Sequence, residues 1–219
     1  SQYHGLAFMC SVYYNVGDIP KQSQEGSPYA HQLFQENRNA AFCHYDHRKH
    51  LEWLFEQMSS PKEQVMFIKN NNFNSIRDFD GWIQDNLKYF FYDFFVIETS
   101  DQKLVGFVYS YDASMKDGHC KMTVYIGEKY RNIGVGAYVG LKFMYYLFKY
   151  YPLRRIYCEV YEYNSNSLNS LVQCGLEETG RIKEYRYYDG KYHDLILLTI
   201  TRTTFENKLK KYIDDKREK

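Results

Sequence analysis

Apolar positions along the chain change period near residue 91. Before that point the spacing is helical. Residues 2–14 are apolar and aromatic enough for a first strand, and 17–40, rich in Gly, Gln and Asn, read as a loop with one helical turn. Leu51, Leu54, Phe55 and Met58 recur at helical spacing and predict a helix over 47–58. Ser59-Ser60-Pro61 breaks it and starts a second helix carrying Val65, Met66 and Ile68. After a loop at 70–74, Phe79, Ile83, Leu87 and Phe90 give an amphipathic helix over 75–90.

From residue 91 the period is two. Runs at 94–99 and 104–112, joined by 100–103, read as a hairpin, and 119–126 alternates with Cys120, Met122, Val124 and Ile126 on one face. Residues 136–150 return to helical spacing, with Ala137, Gly140, Leu141, Met144 and Phe148 as the buried stripe. Pro152 ends that helix. A strand at 155–161 places Ile156, Cys158 and Val160 on its apolar face, with Tyr157, Glu159 and Tyr161 opposite. A short helix follows, and 181–188 and 191–200 flank Asp189-Gly190, a strong two-residue hairpin signal. The order β–α–α–β–β–β–α–β–α–β–β predicts an α/β (α+β) mixed sheet with helices on both faces.

Size and charge narrow the function. A chain of 219 residues suffices for one domain with a sizeable core. Its formal net charge of +1 gives no field for nucleic acid or a membrane surface. The many aromatics, 24 Tyr and 15 Phe, fit core and half-buried strand positions. No apolar run approaches the ~18 residues of a membrane span, and no signal peptide is visible at the start. Five cysteines without a C-x-x-C fit a reducing cytoplasm better than a disulfide framework. His44, His47 and His50 fall three apart, near one helical face, but lack a carboxylate ligand at zinc spacing, so no metal is expected. The charged tail 206–219 reads as a solvated end.

The strongest chemical signal is Tyr130-Arg131-Asn132-Ile133-Gly134-Val135-Gly136-Ala137, a glycine-containing loop between a strand and a helix. Glycine lets the backbone turn without a Cβ, small residues let a phosphate approach, and the first helical amides hold the anion. Arg131 at the loop's start is expected beside that phosphate. A dinucleotide loop needs G-x-G-x-x-G in a register this chain lacks, and a Walker loop needs G-K-[ST] where Ala137-Tyr138 stand. Coenzyme A remains. Downstream come a strand, Asn164-Ser165-Asn166-Ser167, a short helix and Cys174-Gly175-Leu176.

In that order, these segments resemble the GNAT superfamily of acetyl-CoA-dependent N-acetyltransferases over roughly residues 91–205. The N-x-x-S segment and Asp189-Gly190-Lys191-Tyr192-His193-Asp194 further resemble the branch that acetylates ribosomal-protein N-termini, the Rim-type branch. The resemblance implies a single domain over 1–219, with a three-layer fold. Residues 1–90 would supply a first strand and acceptor-side helices, and 91–205 the core with the cofactor site. The sheet, mostly antiparallel, would splay beside 124–126, where Val124, Tyr125 and Ile126 would pair with pantetheine. Asn164 would bond the pantetheine arm, or serve as a helix N-cap, as Ser165 or Ser167 could. No metal is implied.

The implied chemistry is attack of a neutral amine on a thioester, which calls for a base and an acid. Glu159 and Glu184 are the candidate bases. Many members carry a tyrosine acid seven residues after the asparagine; here that position is Leu171. Ser167 is the substitute candidate, with a plain helix-start hydroxyl as its alternative. Tyr161, Tyr185 and Tyr187 fit an acceptor pocket or ordinary packing. The acceptor would be a small-molecule or peptide amine: a protein N-terminus, an amino acid, a polyamine or an amino sugar. A homodimer is left open. A catalytically silent acyl-CoA-binding module is the competing reading, and Leu171 is its support. A single-stranded nucleic-acid binder fits the aromatics but not the charge.

Overall fold

The computed structural model describes residues 41–67, 73–131 and 134–207. The expected first strand at 2–14, the loop at 17–40, and Ile68, Asn132, Ile133 and the tail beyond 207 lie outside the described residues. A short strand β1 (Ala41–His44) is followed by α1 (His47–Ser59), the single turn α2 (Pro61–Gln64) and α3 (Ile76–Tyr89). Then come β2 (Phe91–Glu98), β3 (Leu104–Ser114), β4 (His119–Ile126), a 3₁₀ turn at Glu128–Tyr130, and α4 (Val135–Tyr150). The chain continues through β5 (Arg155–Tyr161), α5 (Ser165–Gln173), β6 (Glu177–Tyr188) and β7 (Lys191–Thr201).

Local chemistry fixes the helix ends. The Asp46 carboxylate accepts the N–H groups of Arg48 and Lys49 to start α1, and Ser75 accepts that of Asp78 to start α3. Asp46 therefore ends β1, so His44 stands on a strand and not on the helical face expected for it. His47 pairs with Asp80 at 3.1 Å. His50 is buried, accepts the Asp46 N–H at Nδ1 (2.9 Å), and meets Glu98 at Nε2 (2.6 Å). These histidines brace α1 against its neighbours. Asp189 and Gly190 adopt φ of 50° and 81°, as a tight hairpin between β6 and β7 requires.

Among the described residues seven strands lie in the order β1-β2-β3-β4-β5-β7-β6, and every neighbouring pair is antiparallel except β4 and β5. Strand alternation feeds two cores. On one face Phe95, Met122 and Ile156 pack with Val139, Phe143 and Leu147 of α4. On the other, Phe94, Phe107 and Tyr125 pack with Leu54 and Met58 of α1 and Phe79 and Ile83 of α3. The result is the expected three layers. α4 buries a broader face than its expected stripe: Tyr138, Val139, Phe143 and Leu147 are buried, whereas Ala137 and Leu141 are only half-buried. At Gly106 a Cβ would collide with the Tyr125 carbonyl of β4, so only glycine permits the local approach of β3 to β4.

Candidate active site

The one parallel pair is also the one that comes apart. β4 and β5 match only at His119↔Arg155, Cys120↔Ile156 and Lys121↔Tyr157. Beyond that point β4 continues to Ile126 on β3, and β5 continues to Tyr161 on β7. The two strands thus form a fork, each arm held by its outer neighbour. Main-chain polar groups of a strand seek partners on both sides. Over 122–126 those facing β5 find no strand there. A cavity of about 370 Å³ fills the fork and reaches both sheet faces. Gly140, Leu171 and Cys174 line it from the α4/α5 side, and Glu63, Met66 and Phe67 from the α1/α3 side.

One wall is the start of α4. Its N-cap is Gly134, at φ 82°, a conformation open to glycine and strained for most other residues. No side chain among the described residues caps this helix, and the first intrahelical bond is made by the Tyr138 N–H to Gly134 (3.1 Å). The amides of Val135, Gly136 and Ala137 are therefore left without helical acceptors, at the positive end of the helix dipole. A Cβ on Gly136 would meet only Ile126 Cγ1, at an ordinary 3.6 Å. This is the chemistry of an anion seat opening onto a channel of unpaired main chain, and it fits a diphosphate joined to an amide-bearing arm.

Each expected site residue except Asn132 and Ile133, which lie outside the described residues, has a definite place. Val124, Tyr125 and Ile126 line the fork, as do Gly134, Gly136 and Ala137, while Val135 is buried at the helix start. Arg131 lines the cavity, but its guanidinium is already committed. Nε donates to the Ile126 carbonyl (2.7 Å), and one terminal nitrogen meets Glu63 Oε2 (2.5 Å). In this structure Arg131 braces the loop. Asn164 is the N-cap of α5, accepting the Ser167 N–H at 3.3 Å, and also lines the cavity. Because Asn164 takes the cap, the hydroxyls of Ser165 and Ser167 do not. Ser167 faces the cavity from the first turn, and Leu171 from the next.

The two candidate bases part company. Glu159 lines the cavity, bonded by Lys121 Nζ at 2.7 Å and by the Tyr111 hydroxyl at 3.2 Å. Glu184 is exposed on a bulge of β6, at φ 52°, where its N–H donates to Asp194 Oδ1 (3.0 Å), and it does not line the cavity. Tyr161 is buried, and Tyr185 and Tyr187 are exposed; none lines the cavity. Sequence reasoning did not single out Glu63, Lys121, Tyr111 or Thr123. No local motif marks them, since their partners are distant in the sequence. Among the described residues no group of His, Cys, Asp and Glu is arranged to hold a metal.

Comparison with known proteins agrees with this geometry. The acetyltransferase (GNAT) domain family matches residues 36–177. An SPbeta prophage-derived N-acetyltransferase of Bacillus subtilis (strain 168), YokL, is 25% identical over 133 residues, which are 61% of this chain and 73% of that protein. In fold, the chain is similar to spermidine N-acetyltransferase of Vibrio cholerae in complex with CoA and spermine. The TM-score is 0.71 at 16% identity, covering 78% of this chain and 99% of that one. A dodecameric structure of the Vibrio cholerae enzyme matches with a TM-score of 0.67 at 17% identity, with the same coverage. At such identity the likeness to solved structures speaks for the fold alone.

Proposed function

Because the chain belongs to the acetyltransferase (GNAT) family and is thus an acyltransferase, we propose that it moves an acetyl group from acetyl-CoA to a primary amine, by direct transfer in a ternary complex. The observation that carries this reading is the parting of β4 from β5 immediately beside the uncapped start of α4. The amides of 135–137 hold the diphosphate, and Asn132 and Ile133, outside the described residues, are assigned to the same site from the sequence alone. Main chain of Val124, Tyr125 and Ile126 pairs with the pantetheine arm, and Asn164 meets it from the opposite wall. Acetyl-CoA supplies the activated thioester.

The remaining steps belong to protein side chains. Glu159 takes the proton that the amine gives up as its nitrogen bonds to the acyl carbon. An unpaired β4 amide polarises the carbonyl oxygen. Ser167 delivers a proton to the sulfur as the carbon–sulfur bond breaks, in place of the tyrosine absent at Leu171. Glu184, outside the cavity, takes no part. A cavity wall of carboxylate and aromatic side chains suits a cationic or primary-amine acceptor. The Asn164–Ser167 segment and the Asp189–Asp194 hairpin favour a protein N-terminus or a small amine. The enzymes of similar fold named for spermidine keep a polyamine among the candidates.

Two measurements test this. Release of CoA thiol in the presence of a panel of N-terminal peptides, amino acids, amino sugars and polyamines should show turnover with at least one class. No release with any of them would favour the silent acyl-CoA-binding module. Gly136→Asp should fold, since the site has room for a side chain. It should weaken acetyl-CoA binding at least tenfold by calorimetry, about 1.4 kcal/mol. Unchanged affinity in that folded variant would remove the diphosphate from this loop.

A further inference from the structure

The apex of the fork concentrates one cluster of charge. Lys121 is the last residue of β4 still paired with β5. Two residues past its partner, Glu159 turns back across the fork. Lys121 Nζ bonds Oε1 at 2.7 Å, and the Tyr111 hydroxyl, coming from β3, donates to Oε2 at 3.2 Å. Lys121 also meets Asp112 Oδ2 at 3.0 Å and lies 5.8 Å from the centre of the Tyr111 ring. Lys121 from β4 and Tyr111 from β3 contact Glu159, Asp112 stands behind Lys121, and Tyr109, Cys158 and Tyr161 are near enough to feel the carboxylate's charge. The Glu159 side chain is 15% exposed, and Tyr111 is 7% exposed.

An ionised carboxylate oxygen can accept two hydrogen bonds. Each Glu159 oxygen is seen holding one donor, so a lone pair on each stays available to the cavity. A free glutamate side chain would lose considerable rotamer freedom on being fixed for proton transfer. Here two donors from two different strands fix it beforehand. As a strand tie the contact adds little, because a partly exposed ion pair contributes weakly and both arms already have outer neighbours.

We infer that Lys121 and Tyr111 are positioning residues for acyl transfer, which hold the Glu159 carboxylate in place at the fork's apex where the acceptor amine gives up its proton. This rests on Glu159 being the base. Neither residue needs to touch the acceptor for this role. Each governs how often Glu159 is correctly placed when the amine arrives.

The test compares Glu159→Gln, Lys121→Met, Lys121→Arg and Tyr111→Phe. For each, kcat on the amine found to turn over, acetyl-CoA affinity and thermal midpoint are measured. Glu159→Gln is expected to lower kcat roughly 10²–10⁴-fold. Lys121→Met and Tyr111→Phe are expected to lower it about tenfold through misplacement of that group. Acetyl-CoA affinity and thermal midpoint stay at wild-type values, and Lys121→Arg recovers turnover because it restores the donor. If Glu159→Gln loses turnover while Lys121→Met and Tyr111→Phe keep wild-type kcat, positioning is overturned and the base stands. If Lys121→Met loses acetyl-CoA affinity and thermal midpoint along with turnover, and Lys121→Arg restores none of it, the pair is a strand tie and the inference is also overturned. If Glu159→Gln keeps full turnover, the base assignment itself fails, and positioning with it.

Discussion

Asp194 shows how much a single carboxylate can organise. It accepts from Lys183 Nζ (2.8 Å), the Glu184 N–H (3.0 Å) and Arg181 (3.2 Å). These donors, the Lys183 ammonium foremost, hold its pKa down at about 2. The folded pKa lies below the unfolded value of 3.8, so the stabilisation is fully present above that value and is lost as pH falls through about 2. Asp194→Asn should therefore lower stability at pH 7 in urea titrations and flatten the loss of stability between about pH 4 and pH 2. An acid profile parallel to the wild type would assign that loss to other groups. The sequence marked Asp194 as the end of a hairpin motif. It could not reveal that the same side chain holds the Glu184 main chain in a left-handed bulge, which turns Glu184 away from the cavity.

At the scale of elements, the short segment around α2 ties the two arms of the fork together. Glu63 meets Arg131 beside the β4 arm, Lys62 meets Glu128 (2.5 Å), and the Tyr163 hydroxyl from beyond β5 donates to the Val65 carbonyl (2.5 Å). Met66 and Phe67 then line the cavity from the α1/α3 side, with Phe67 stacked on Tyr125 at 5.7 Å. Tyr163→Phe keeps the ring and removes the donor. Loss of one net hydrogen bond, about 1 kcal/mol, should raise the acceptor KM roughly fivefold while acetyl-CoA affinity stays put. A change in acetyl-CoA affinity alone, measured by calorimetry, would assign the segment to the cofactor instead. Most helix and strand positions were legible in the sequence because period, caps and turn residues are local signals: Ser75 and Asp189-Gly190 did what their chemistry predicts, whereas the helix expected to carry Val65 and Met66 is a single turn that stops at Gln64. Arg131 was not legible. Its partner Glu63 lies 68 residues away, and no spacing rule connects them. β1 escaped notice because four residues carry too short a pattern.

Across the described residues there are four free thiols, of which Cys43 alone is half-buried. Cys120, Cys158 and Cys174 are buried. Burial pushes the Cys120 thiol up to about 12 and raises that of Cys158 as well, so neither is a thiolate at neutral pH. Intact-mass spectra of the protein with acetyl-CoA alone should show no cysteine adduct of about 42 Da, the mass of one acetyl group. A stoichiometric adduct that disappears on adding amine would replace direct transfer with a two-step route. The fork has a consequence beyond catalysis. Its cavity touches α4 and α5 on one side of the sheet and the α2 segment on the other, so at the fork the sheet acts as a partition with an aperture. Donor and acceptor can then dock in separate rooms and meet only at their reactive tips. Each product can leave by the door its parent entered. The acceptor's room is furnished by helices and loops that share few residues with the donor's grip. Refitting the first for a new amine would leave the second intact, and with it the supply of activated acetyl groups.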